Sequence, residues 1–304
     1  MKGLAKFAMQ GRVQAALLVA GFAVLAAIFP PFIVLSGATL ALVTLRKGLA
    51  EGALLAAIGT AAGGALAWLV VGSPQWVLVS LLVHWVPVWL VAAVLRATVS
   101  LSQALLVLAG LGVAGVMVVY AALGDPTLWW ASMMEQVLPI LLEQMQAEVA
   151  PEVMTQQIQL LAPKLTGVVV SQFVVLVMIS LLLGRWWQAG LYNPGGFGIE
   201  FRKLRFGRPV AIAVLAAFAI AVFAQFGLVV NLVLAVGLVT SLFGLSIVHS
   251  LVVEGGWTRA WLFAVYLLLG LLMYPMVTFL TVLGAADEWL NVRRRFGKGA
   301  HPET

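Results

Sequence analysis

Long apolar runs, separated by short groups of charged residues, make up most of this 304-residue chain. A hydrocarbon core of about 30 Å takes roughly 20 helical residues, and Trp76–Leu95, Leu101–Leu123 and Pro209–Ser250 meet or exceed that length. The alternating strands of a membrane β-barrel are missing from the pattern. In lipid a helix satisfies its backbone polar groups within its own segment. The pattern therefore predicts an all-α, polytopic transmembrane helix bundle of eight or nine spans, at 13–29, 32–45, 51–71, 76–95, 101–123, 165–187, 209–226, 228–250 and 257–284. The second run is short for a full crossing and reads as a tilted span or a partly re-entrant segment.

Composition agrees with the pattern. Hydrophobic residues make up 63% of the chain and charged residues 9%, and the mean hydropathy of +1.10 lies far from that of a soluble domain. There is no cysteine, which excludes disulfides and thiolate chemistry. Lys2, Lys6 and Arg12 followed by 13–29 have the outline of a signal peptide. Pro30-Pro31 stands where a small-residue cleavage site is wanted, so this run is expected to stay as the first span.

The net charge of +6 matters less than its placement. Basic residues collect in short loops, the habit of cytoplasmic loops in membrane proteins, so nucleic acid is not an expected partner. A cytoplasmic N-terminus also puts Arg46, Lys47, Arg96, the Arg185–Arg208 region and Arg259 inside. A single ninth span then strands Arg293, Arg294, Arg295 and Lys298 outside, against the rule. One crossing more or fewer within 209–284 would remove the conflict.

Two segments outside the spans carry information. The external stretch 125–163 holds Asp125, Glu135, Glu143, Glu148 and Glu152, with an apolar face that includes Leu128, Trp129, Trp130, Met133 and Val137. Asp125-Pro126-Thr127 reads as a helix start, with Pro139 and Pro151 dividing the segment into short helices. Such amphipathic helices lie on a membrane surface, cap a cavity or simply cover the bundle. On the other side, Glu200–Arg208 alternates basic and aromatic residues. Arg202, Lys203, Arg205 and Arg208 there suit anionic lipid headgroups or an acidic partner, as well as ordinary topology signalling.

No nucleotide-binding, zinc-protease or serine-hydrolase motif occurs, and no carboxylates pair inside a span. No enzyme activity, cofactor or metal is expected. His249 and Glu254 are too far out of helical phase to form a pair. Polar residues within spans are the best pointers to a site, because leaving them unpaired in lipid is unfavourable. His84, Trp85, Tyr120, Gln172 and Asn231 fall in the outer half of the predicted topology, with Gln225 near them. They suggest an outward cavity walled by Trp76, Trp129 and Trp130. Small residues at Ala16, Ala20, Ala23 and Ala27 form one stripe of the first helix, and Gly59 and Gly63 another close-packing face. The stripe fits a partner helix or packing within the same bundle.

Ala15-Ala16-Leu17-Leu18-Val19-Ala20, Pro30-Pro31, Leu45-Arg46-Lys47-Gly48 and Glu51-Gly52 resemble the opening of the substrate-binding subunits of energy-coupling-factor transporters. Gly196–Arg202, Gly244–His249 and Gly284–Asp287 with Arg293 resemble the YybS-like family of bacterial membrane proteins, grouped with those subunits. The second likeness covers the whole chain and the first only Val13–Trp187. Together they imply a six-helix, solute-binding core at 1–187 that includes the 125–163 insert and docks through the alanine stripe. A basic cytoplasmic loop at 188–208, further transmembrane helices at 209–284 and a polar tail at 285–304 would follow. The acidic insert and the additional helices depart from the transporter pattern.

Two functions are expected of such a chain in a bacterial inner membrane. One is a solute-binding or transport subunit without its own ATPase, working with membrane or ATPase partner subunits on a small-molecule solute. The other is a membrane scaffold that recruits a partner complex or membrane lipid through the basic loop.

Overall fold

The computed structural model describes residues 2–72, 75–146 and 149–296, and every regular element among them is helical. In chain order these are α1 (Lys2–Gln10), α2 (Arg12–Leu25), α3 (Phe32–Lys47), α4 (Leu49–Val71), α5 (Gln75–Thr98), α6 (Leu101–Leu123), α7 (Thr127–Gln144) and α8 (Pro151–Leu161). After them come α9 (Leu165–Tyr192), α10 (Gly196–Arg202), α11 (Arg208–Ala219), α12 (Gly227–Val253), α13 (Ala260–Leu271), α14 (Met273–Leu290) and α15 (Val292–Phe296). A 3-10 turn at Ala162–Lys164 joins α8 to α9, and a π turn at Ile220–Ala224 ends α11. Four stretches are long and apolar enough to cross a membrane: Leu49–Leu69, Leu101–Leu123, Pro151–Tyr192 and Gly227–Val253. Arg12–Leu25, Val83–Thr98, Arg208–Ala224 and Ala260–Leu271 are apolar but shorter. These are the helices of a membrane protein.

Cross-helix contacts fix the directions of the helices. In α3 and α9, Val34 meets Ser180, Ala38 meets Gly184 and Arg46 meets Tyr192, so the two run parallel. Helix α5 follows the same direction, with Trp85 on Ser36 and Arg96 on Leu45. So does α12, with Asn231 on Gly167 and Glu254 on Arg202. Helices α2, α4, α6 and α11 run the opposite way, as the pairs Arg12–Glu51, Thr44–Gly52, Tyr120–Asn231 and Gly207–Glu288 require.

Small residues let these helices meet at backbone distance, where dispersion and tight fit replace the hydrophobic effect that lipid does not supply. A side chain added at Gly184 would lie 2.8 Å from the Ala38 carbonyl, and one at Gly284 would lie 2.7 Å from the Gly244 nitrogen. The core gathers Val19, Leu40, Trp85, Leu105, Leu181 and Phe243, and leaves apolar side chains such as Leu17, Leu69, Val118 and Phe263 on the outer surface.

The run 257–284 is not one helix. It breaks at Leu272, between α13 and α14. Gly237 faces Val277, Thr240 bonds Thr281 at 3.0 Å and Gly244 abuts Gly284, so α14 runs parallel to α12. The start of α14 therefore sits some 20 residues back along α12 from its end, about 30 Å at the helical rise. Only α13 can carry the chain over that distance, and Tyr266 on His249 at 3.3 Å ties it to α12 on the way.

Other boundaries differ from expectation as well. Pro139 lies inside α7 and does not end it, while Pro151 does begin α8. The Asp125 start holds: its carboxylate accepts from the Thr127 backbone at 3.0 Å and the Thr127 hydroxyl at 2.6 Å. The region 188–208 is largely helix, because α9 extends to Tyr192 and α10 follows. The Trp76 side chain, Glu148 and Lys298 lie outside the described residues.

Candidate functional sites at the two ends

The five intramembrane residues expected to share a cavity form two separate networks and a lone side chain. His84 and Trp85 are buried among α3, α5 and α9. The Trp85 indole donates to Ser36 Oγ at 3.1 Å, Ser36 donates to the Val19 carbonyl at 2.8 Å, and His84 Nε2 meets Ser180 Oγ at 3.2 Å. His84 Nδ1 has no partner among the described residues.

Toward the other end, Asn231 is fully buried and joins three elements. Its Oδ1 accepts from the Gly167 backbone at 2.6 Å. Its Nδ2 lies 2.7 Å from the Pro163 carbonyl, 2.9 Å from the Gly227 carbonyl and 3.1 Å from the Tyr120 hydroxyl. An amide engaged this fully has nothing left for a ligand. Gln172 is exposed on α9. None of the five is among the residues that line the clefts described below.

Of the alanine stripe, Ala20 and Ala23 are buried, Ala16 is half-buried against the core, and Ala27 is exposed past the end of α2. Gly59 on α4 leaves room for Val19 and the Trp85 ring, so these small faces serve packing inside the chain.

Charge gathers at the opposite end, where α3, α5, α9, α12 and α14 finish. Arg293 organises it. Its guanidinium donates to the carbonyls of Arg202 at 2.8 Å and Leu204 at 2.7 Å and to Ser246 Oγ at 2.7 Å, with buried Asp287 at 3.5 Å. Burial pulls the Arg293 pKa down, against the opposing pull of Asp287. Arg202 bonds Glu254 at 2.8 Å, and Ser250 donates to the same carboxylate at 2.9 Å. These contacts hold the Glu254 carboxyl below the usual range, the Arg202 bond being the largest cause. Of the loop cations predicted to reach lipid or a partner, Arg202 is thus engaged internally, whereas Lys203, Arg205 and Arg208 are exposed.

Sequence reasoning missed a cleft of about 480 Å³ at this end, lined by Leu45, Arg46, Leu95, Arg96, Val99, Arg185, Gln188, Tyr192, Asn193 and Glu200. Arg185 forks onto Glu200 and is largely covered. Arg96 donates to the Leu45 carbonyl at 2.6 Å, and Arg46 lies 4.3 Å over the Tyr192 ring. Among the described residues neither of these two faces a carboxylate. The available signal was a set of arginines at the ends of three spans predicted to finish on one side, with Glu200 following the third. A second cleft, of about 470 Å³, has aromatic walls at Trp186, Trp187 and Phe197, with Lys2 and Arg202 among its lining.

A cleft of about 420 Å³ at the far end is lined by Pro163, Lys164, Ala221, Val222, Gln225, Gly227 and Val230. Asn231 ties two of its walls, at Pro163 and Gly227.

No protein-family model, curated protein or solved structure matches this chain.

Proposed function

We propose that this is a multi-pass inner-membrane protein of ten crossings, made by α2 to α6, α9 and α11 to α14, whose cytoplasmic end is a docking platform for anionic partners. The observation that carries the reading is the parallel course of α12 and α14. With α13 as an additional crossing, Arg293, Arg294 and Arg295 join Arg46, Arg96, Lys203, Arg205 and Arg208 on one side, and Lys164 alone among the described cations stays on the other. That distribution satisfies the positive-inside rule, which nine spans violate. The α14 end is also bonded through Arg293 to the α10 segment, so loop and tail present one basic surface.

Affinity purification in mild detergent with mass spectrometry tests the platform. Neutralising Lys203, Arg205 and Arg208 to glutamine should remove the acidic partners retained by the wild-type protein. An unchanged partner set would sink the scaffold reading.

A second reading, a solute-handling subunit without its own ATPase, draws on the Lys164 cleft and on the free Nδ1 of His84. It is the role implied by the likeness to transporter subunits. Lys164→Gln and His84→Ala should then each weaken retention of a co-purifying small molecule without unfolding the protein. Equal retention by both variants would remove the support for this role.

A further inference from the structure

The geometry points to a phosphate-binding site in the cleft between the ends of α3, α5 and α9, with Arg46 and Arg96 as its ligating cations. The inference rests on the membrane placement proposed above, which sets this cleft at headgroup depth.

Three arginines converge there and one is already spent. Arg185 is neutralised by Glu200 and held by Gln188 Oε1 at 3.0 Å. Arg96 is placed by its bond to the Leu45 carbonyl and lies beside Gly48, whose φ of +113° turns the chain from α3 into α4. That contact uses one nitrogen, Nη1, and leaves the other N–H groups of the fork available. Arg46 stacks on Tyr192, an arrangement that orients a guanidinium while leaving its donor edge free. The net excess is two positive charges facing a concave space, with Leu45, Leu95 and Val99 as apolar walls.

Val99 lines the cleft at the turn from α5 to α6, where its φ of +52° and its N–H bond to the Leu95 carbonyl at 2.9 Å close the end of α5. Paired guanidinium forks match the oxygens of a phosphate better than a point charge would. Apolar walls at the membrane surface suit the glycerol and upper acyl chain of a phospholipid. A free phosphate would use the same two arginines.

Purified full-length protein, delipidated in mild detergent, can be titrated with phosphatidylglycerol and read by native mass spectrometry, with inorganic phosphate as competitor. Arg46→Gln should lower retention of a bound phosphatidylglycerol about tenfold, the scale of one charge-assisted contact. Arg46 makes no backbone hydrogen bond, so this variant leaves the α3–α5 latch in place. Arg46→Lys should recover only part of the binding, because it restores charge without the fork. Arg294→Gln/Arg295→Gln removes two charges, one more than the cleft variant, from the same end outside the cleft and should leave retention unchanged.

Retention of inorganic phosphate itself at millimolar concentration, lost in Arg46→Gln and without lipid retention, would support the site and assign it to a free anion. Equal losses in the cleft variant and the Arg294/Arg295 control, or none in either, would overturn it. An unchanged partner set after neutralising Lys203, Arg205 and Arg208, with lipid retention still lost in the Arg46 variant, would contradict the platform alone.

Discussion

The two ends of this bundle handle polarity in opposite ways. At the Asn231 end, polar groups satisfy one another: one amide joins Gly167, Pro163, Gly227 and Tyr120, and the Trp130 indole closes on Thr166 at 2.8 Å. At the basic end Glu51, Glu200, Glu254 and Asp287 are each taken by an arginine, and cations are still left over. The contrast separates structure from function within one molecule. A polar group whose partners are all present holds helices together, and a charge without a partner is available to something else.

The largest effect in this comparison should come from the packing that makes α14 parallel to α12. Gly284→Val would push a side chain into the α12 backbone, a clash no rotamer relieves. Loss of the monodisperse folded protein by size-exclusion chromatography is expected. Next is the far-end knot. Asn231→Leu strands the Gly167 N–H and the Pro163 carbonyl, and should lower unfolding stability in detergent by about 2–4 kcal/mol. His84→Gln keeps most of the buried volume and a polar tip near Ser180, and should lower it by only about 0.5–1.5 kcal/mol. If the two variants were equally stable, the far-end knot would not be the structural device described.

The smallest effect is electrostatic. Arg202 lowers the Glu254 pKa below its ordinary value of 4.5. A depressed carboxyl contributes stability above that value and loses it as pH falls through its folded pKa. Glu254 is half exposed, so screening keeps the contribution small. Thermal unfolding of Glu254→Gln should therefore match the wild type at acidic pH and fall slightly below it at neutral pH. A constant offset across the range would exclude this linkage.

The fold class was readable in the sequence because lipid permits so few solutions: apolar runs of membrane length become helices. The extra turn was missed, since 257–284 stays apolar and uncharged across Leu272, and only Gly270 and Pro275, in the first turn of α14, marked the break. The conflict in the arginine count did point to this region, and the ten crossings proposed above remove it. The candidate site was less legible. Polarity inside a span marked Asn231 and His84, yet whether such a residue binds a ligand or a neighbouring helix depends on partners far away in sequence. Asn231 and Gly167 are 64 residues apart, and His84 and Ser180 are 96 apart. The Arg46–Arg96 cleft escaped notice for the same reason, since its cations come from three separate helices.

The return of α13 decides where the charged tail lies, and labelling can test it because the chain has no native cysteine. Single cysteines at Asp125, Thr258 and Arg295 would be exposed to a membrane-impermeant maleimide in right-side-out and inside-out vesicles. Ten crossings predict that Thr258→Cys and Arg295→Cys react from the same side, opposite to Asp125→Cys. Reaction of Arg295→Cys from the Asp125 side would place the tail across the membrane from the basic loop and contradict the parallel course of α12 and α14.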